Sequence, residues 1–158
     1  VGKRKPAKAS LIADLKTSLP ALECVVTPKA WCDTNKLMSE KHAWRYDYPG
    51  EKVFAPYLLN QLSQRMPKTG VVCCDVGQHQ MWVAQHMKFN HPSNHLSSGG
   101  AGTMGFGLPA AIGAQVARPD DFVITVSGDG SIMMNIQELA TIRRNNLPVK
   151  ILILDNQR

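Results

Sequence analysis

Asp129 and Asn156 are the residues whose type and spacing point most directly to chemistry. Asp129 stands between two glycines, Gly128 and Gly130, and Asn156 follows after 25 intervening residues, 131 to 155. Both are hard oxygen donors, one charged and one neutral. Together with a backbone carbonyl they make a partial cage of the sort Mg²⁺ accepts, completed by phosphate oxygens and water. Gly130 lets the backbone come close to a phosphate, and the turn and helix start behind it, from Ser131 onward, offer N–H groups. A bare Gly-Asp-Gly is also an ordinary tight turn. The asparagine at the end of the very next strand tips the reading toward a metal-held phosphate.

Such a pair needs a scaffold that brings both donors to one place. Residues 122–126 and 149–154 are apolar runs that stop just short of the two donors. Between them Asn135 and Glu138 stand in capping-box spacing. Ile136, Leu139, Ala140 and Ile142 follow at helical intervals, and Asn145, Asn146 and Pro148 end the segment. Strand, helix and strand in this order make a βαβ unit, whose right-handed crossover brings Asp129 and Asn156 to the same carboxyl edge. Ligands of open α/β sheets bind at that edge.

The rest of the chain extends the pattern. Pro56 suits the first turn of a helix that runs to about residue 66. Residues 71–75 read as a buried strand, 78–87 as a helix, 95–98 as a short strand and 106–117 as a helix of small residues able to lie close on a sheet. Four strands alternating with helices predict an α/β fold with a doubly wound parallel sheet. Residues 9–22 read as a short strand and a helix. Residues 23–48 show no period and are assigned to a linker. A domain opens near Glu51, so that 1–50 is the remnant of a preceding domain and 51–158 the second unit. The chain starts at Val1 and stops at Arg158, directly behind a strand, and the expectation is a fragment of a longer polypeptide.

Two further segments fall on the same edge. Val76, Gly77, Gln78 and His79 follow the strand at 71–75. The turn at 97–109 contains Gly100, Gly102 and Gly105 in the G-x-G-x-x-G spacing of dinucleotide sites, with Asp129 24 residues further on. An NAD-binding Rossmann unit, with Asp129 on a ribose hydroxyl, is therefore an alternative. A lone match with a poor preceding strand argues against it, as does an acid flanked by two glycines, which suits phosphate rather than ribose.

The wording of these segments is telling. The Gly-Asp-Gly and asparagine motif resembles the metal-diphosphate motif of thiamine-diphosphate enzymes. MMNIQELATIRRNNLPVKILILDNQ, together with QHQMW and GTMGFGLPAA, resembles the catalytic subunits of the acetohydroxyacid (acetolactate) synthase family, above all large subunits of the isozyme II type of enteric bacteria. The likeness is close from about His42 onward and patchy before it. It implies a thiamine-diphosphate-binding fold whose C-terminal part lies outside the chain. It implies thiamine diphosphate and Mg²⁺ as cofactors, with Val76, Gly77, Gln78, His79, Gly102, Met104, Gly128, Asp129, Gly130, Ser131 and Asn156 at the cofactor. Asp129, Asn156 and Arg158 would be at the metal. Met104 resembles the bulky apolar residue that bends the cofactor, so that its aminopyrimidine lies beside its thiazolium carbon.

The activity implied is decarboxylation of pyruvate and condensation with a second 2-oxo acid, pyruvate or 2-oxobutyrate. The products, 2-acetolactate or 2-aceto-2-hydroxybutyrate, are precursors of valine, leucine and isoleucine. The glutamate that activates the aminopyrimidine would lie outside this chain, leaving no catalytic side chain within it and an inactive isolated piece. FAD is implied for the parent enzyme only, as are a homodimeric or larger assembly and a small regulatory subunit. Related carboligases and decarboxylases, such as glyoxylate carboligase or pyruvate oxidase, are the nearest rivals, and a catalytically null interaction piece is a third class.

Composition narrows the remaining classes. The net charge is +6, and residues 1–48 carry nine Lys/Arg against five Asp/Glu. This basic start lacks the aromatic interleaving of a nucleic-acid arm, and nucleic acid is not expected. No apolar run approaches a membrane span or a signal-peptide core, so no membrane is expected. The four cysteines lack Cys-x-x-Cys spacing and read as free, largely buried thiols of a cytoplasmic protein. Cys73 and Cys74 are neighbours on one strand and should point to opposite faces.

Overall fold

The computed structural model describes residues 4–22, 28–47, 50 and 53–156. Glu51, Cys24 and Arg158 therefore lie outside the described residues. The chain divides into two compact units, residues 1–44 and 45–158.

The first unit holds α1 (Leu15–Ala21) and α2 (Lys29–Lys41). Asp14 caps α1, its carboxylate accepting from the Lys16 N–H at 2.8 Å. No strand precedes α1 among the described residues, so the strand expected in 9–22 is corrected to a helix alone. The expected linker at 23–48 is corrected too, because α2 fills 13 residues of it. Its Trp31 and Leu37 are exposed and none of its residues is buried. A helix that buries no face leaves no apolar period to read.

In the second unit, α3 (Ala55–Arg65) starts with Pro56 in its first turn and leads to β1 (Val71–Cys74). Then come α4 (Gln78–His86), β2 (His95–Ser97), α5 (Gly107–Ala117) and β3 (Val123–Gly128). The short helices α6 (Asp129–Met133) and α7 (Leu139–Arg144) lead to β4 (Lys150–Leu154). All strand pairs are parallel, in the order β2-β1-β3-β4. This is the doubly wound sheet expected from the alternation of elements.

The two central strands are buried at every position, which is why they read as runs of β-branched and small residues. On one face Val72, Cys74, Ile124 and Val126 pack with Leu59 of α3 and Val83 of α4. On the other, Val71, Cys73 and Val123 pack with Ala111 of α5. The adjacent cysteines thus point to opposite faces, and burial pushes both thiols up to about 12. Cys32, by contrast, is exposed.

Helix α5 lies close to the sheet because it begins with glycine. A Cβ on Gly107 would stand 2.8 Å from Thr125 Oγ1 and 3.1 Å from the Asp75 backbone nitrogen. Neither neighbour can swing away. Gly107→Ala should therefore lift α5 and destabilise the intact protein by about 1–3 kcal/mol, read from denaturant midpoints. An unchanged midpoint would refute the close contact.

The crossover between β3 and β4 departs from the single capped helix expected at 135–143. It splits into α6, a 3₁₀ turn at Ile136–Glu138, and α7. Asn135 makes no side-chain cap; its Nδ2 instead donates to the Gly105 carbonyl at 2.8 Å. Its Oδ1, the atom a cap would use, accepts from Gln137 Nε2 at 3.1 Å. Ile136 and Leu139, the expected apolar face, are each 41% exposed.

Candidate functional site

In the order β2-β1-β3-β4 the chain leaves β1 toward one side of the sheet and β3 toward the other. The crevice beyond the carboxyl ends of β1 and β3 is the topological switch point, where sheets of this winding bind ligands. A cleft of about 140 Å³ lies there. Its wall contains Val76, Gly77, Gln78 and His79 from the end of β1, and Met104 from the loop after β2. Gly128, Asp129, Gly130 and Ser131 come from the end of β3, and Asn156 from the end of β4. Ten of the twelve residues singled out from the sequence thus meet in one cleft. Gly102 does not: it sits in the turn before Met104 with nothing near its Cβ position. Arg158 is beyond the described residues.

Strand register explains how the donors are brought together. Gly128 pairs with Leu154 on the adjacent strand, so Asp129 and Asn156 leave the sheet at nearly the same level, one strand spacing apart. Asn156 Nδ2 donates to Gln78 Oε1 at 3.0 Å, leaving its own carbonyl oxygen as an acceptor. Among the described residues no group of three His, Cys, Asp or Glu side chains could hold a metal by itself. A cation here would draw its remaining ligands from phosphate and water. That donor set suits Mg²⁺, which takes one or two protein oxygens and keeps an otherwise phosphate and aqueous shell.

His79 is fixed by glycines on two sides. A Cβ on Gly77 would lie 2.8 Å from His79 Cε1, and one on Gly128 would lie 2.9 Å from its Nδ1. Gly77 also has φ 153°, which side chains rarely adopt. The ring is 5% exposed and its Nε2 has no hydrogen-bond partner. Burial lowers its pKa, against the smaller opposing pull of the Asp75 and Asp129 carboxylates. The α4 N-terminus beside it has no side-chain cap, and its N–H groups suit an anionic ligand.

Ser131 serves the frame. It is buried, and its hydroxyl donates to the Val76 carbonyl at 2.6 Å. Met104 is 44% exposed, and its methyl lies 3.8 Å from where a Gly130 Cβ would stand. It overhangs the glycine-flanked acid and fills no core.

Trp82 and Leu154 complete the wall, and neither was singled out from the sequence. Trp82 lies one helical turn after Gln78, a spacing that could have revealed it. Both also line a larger, mostly apolar hollow of about 620 Å³ between α3 and β4. That hollow shares Asn156 with the smaller cleft and adds Asp155, and its other lining residues are apolar. Asp75, read only as the last residue of a strand, lies just behind the cleft and is fully buried.

The fold also decides the dinucleotide alternative. In a Rossmann unit the strand before the glycine turn and the strand carrying the acid are neighbours. Here β1 separates β2 from β3. Residues 75–158, more than half of the chain, match the thiamine pyrophosphate enzyme C-terminal TPP binding domain. The chain belongs to the thiamine pyrophosphate enzymes.

Over its whole length it is 53% identical to the acetolactate synthase isozyme 2 large subunit of Escherichia coli (strain K12), spanning 29% of that protein. It is 43% identical over 99% of its length to the chloroplastic acetolactate synthase 2 of Nicotiana tabacum, spanning 25% of it. The chain therefore spans between a quarter and a third of the length of these relatives. A solved thiamine diphosphate-dependent 4-hydroxybenzoylformate decarboxylase of Rhodococcus jostii RHA1 superposes with a TM-score of 0.64 at 29% identity. The match covers 72% of this chain and 21% of that one.

Proposed function

We propose that the cleft holds the diphosphate of thiamine diphosphate (thiamine pyrophosphate) through Mg²⁺, and that the chain is part of an acetolactate synthase catalytic subunit. The observation that carries this is the meeting of Asp129, Asn156, His79 and Met104 at the switch point, on a chain so similar to acetolactate synthases. Asp129 and the Asn156 carbonyl hold the metal, joined by Arg158 in the reading from family resemblance. The exposed Gly130 admits the diphosphate. His79, seated between Gly77 and Gly128, forms the wall beside the same anion. Met104 supports the cofactor where its rings must bend.

Bound in this way, the cofactor supplies an electron sink for decarboxylating a 2-oxo acid. The side chains of this chain anchor and orient; their contribution is positioning. Residues 51–158 then form the N-terminal part of the cofactor domain, and residues 1–50 belong to what precedes it. Pyruvate and 2-oxobutyrate as substrates, FAD, a regulatory small subunit, an oligomer and a cytoplasmic setting all go with this reading. Among the described residues no helix is long and apolar enough to cross a membrane.

Titration calorimetry on the intact protein tests the proposal. Thiamine diphosphate should bind with Mg²⁺ present and lose most of its affinity when the metal is chelated, while NAD gives no heat. Metal-independent binding of NAD would reverse the assignment.

A further inference from the structure

Asp75 directly follows β1 and is 0% exposed. Its Oδ1 accepts the Val76 N–H at 2.9 Å and the Gly105 N–H at 2.8 Å, and its Oδ2 accepts the Ser127 hydroxyl at 3.0 Å. These donors come from three separate segments: the turn after β1, the loop after β2 and the end of β3. The tie extends further at both ends. Gly105 O accepts from Asn135 in the β3–β4 crossover, and Val76 O accepts from Ser131 in α6.

We propose that Asp75 is a positioning residue that fixes Met104 and the Gly128–Gly130 turn relative to one another through these three hydrogen bonds. Met104 is bonded directly to Gly105, and Ser127 directly to Gly128, so these two bonds land one residue from the cleft wall, and the third lands on Val76 within it. A buried carboxylate is costly unless its oxygens are occupied. Donors from three segments therefore hold it strongly only when all three segments are in place. Asp75 is not among the residues of the cleft wall, and its carboxylate oxygens are taken up by these bonds. The tether itself is independent of the cofactor; its consequence for the cofactor rests on the function proposed above.

The role predicts a contrast between two variants. In Asp75→Asn the amide oxygen can still accept both N–H groups. Its NH₂ can donate to Ser127, whose hydroxyl is free to turn to the Gly128 carbonyl 3.3 Å away. Asp75→Ala removes every acceptor. Hydrogen–deuterium exchange is measured on the intact, cofactor-free protein, with thiamine diphosphate affinity in excess Mg²⁺ as a second readout.

Asp75→Ala should raise exchange about tenfold or more in peptides covering both 98–106 and 127–135, and leave α3 unchanged. Its cofactor affinity should fall about tenfold or more. Asp75→Asn should stay near wild type in both measurements. A folded Asp75→Ala protein with unchanged loop exchange overturns the proposal. So does an Asp75→Asn protein that fails to fold or loses loop protection, because the hydrogen bonds would then not be what matters. If Asp75→Ala fails to fold, Asp75→Asn alone decides. If wild type binds no thiamine diphosphate, the proposed function fails, while the exchange results still judge the tether.

Discussion

Asp129→Asn in the intact enzyme should weaken Mg²⁺-dependent binding of thiamine diphosphate by about a hundredfold or more. Loss of an outer-shell partner alone typically costs about 10–100-fold at a metal site, and this change removes the one carboxylate of the cleft wall, the proposed charged ligand. Asn156→Ala removes a neutral oxygen from the same ion and should cost less. Because Gly128 and Leu154 are paired, the two proposed ligands sit at nearly the same level of one edge, and their effects should be coupled. Once either is lost, the other has less left to lose, and the double variant should fall well short of the product of the two singles. Raising Mg²⁺ should largely restore Asn156→Ala and restore Asp129→Asn much less, since charge dominates the affinity of a hard cation. The measurement is cofactor affinity against Mg²⁺ concentration for the three variants. Simply multiplicative losses without metal rescue would mean that the two residues do not share an ion.

The parts of this site that were legible in the sequence are those dictated by local patterns. β1 and β3 could be read because strands covered on both faces are mostly β-branched and small, as VVCC and VITVSG are. Once the strands were placed, the carboxyl edge followed from the handedness of the crossovers, and with it the company of Asp129, His79 and Asn156. What escaped was governed by partners far away in sequence. Asn135 carries the local mark of a helix cap, yet its amide is held by Gly105, 30 residues earlier. Asp75 looks like a polar strand end, and only the return of residues 105 and 127 shows that it is a junction. Ser131 stands in the cleft wall, but the bond of its hydroxyl to Val76, 55 residues away, has no local mark. Helix α2 was missed for the opposite reason: with no buried face, it imposes no pattern on its sequence.

Met104→Ala should separate anchoring from ring geometry. The side chain is 44% exposed, so truncation leaves no core cavity and stability should change by less than about 1 kcal/mol. A buried methionine would cost about 2–5 kcal/mol. The groups assigned to the diphosphate and metal, Asp129, Asn156 and His79, are untouched, and Mg²⁺-dependent affinity should stay within a few-fold of wild type. Turnover should nevertheless fall about a hundredfold, the usual penalty when reacting groups are displaced by about an ångström. The decisive quantities are therefore melting temperature, cofactor affinity and kcat, measured on the same preparation. A fall in all three would return Met104 to a packing role. Unchanged kcat would mean that the methyl overhanging Gly130 supports nothing. Met104→Leu supplies the internal control: it keeps the apolar bulk over Gly130, and should recover most of the turnover if bulk at that point is what bends the cofactor.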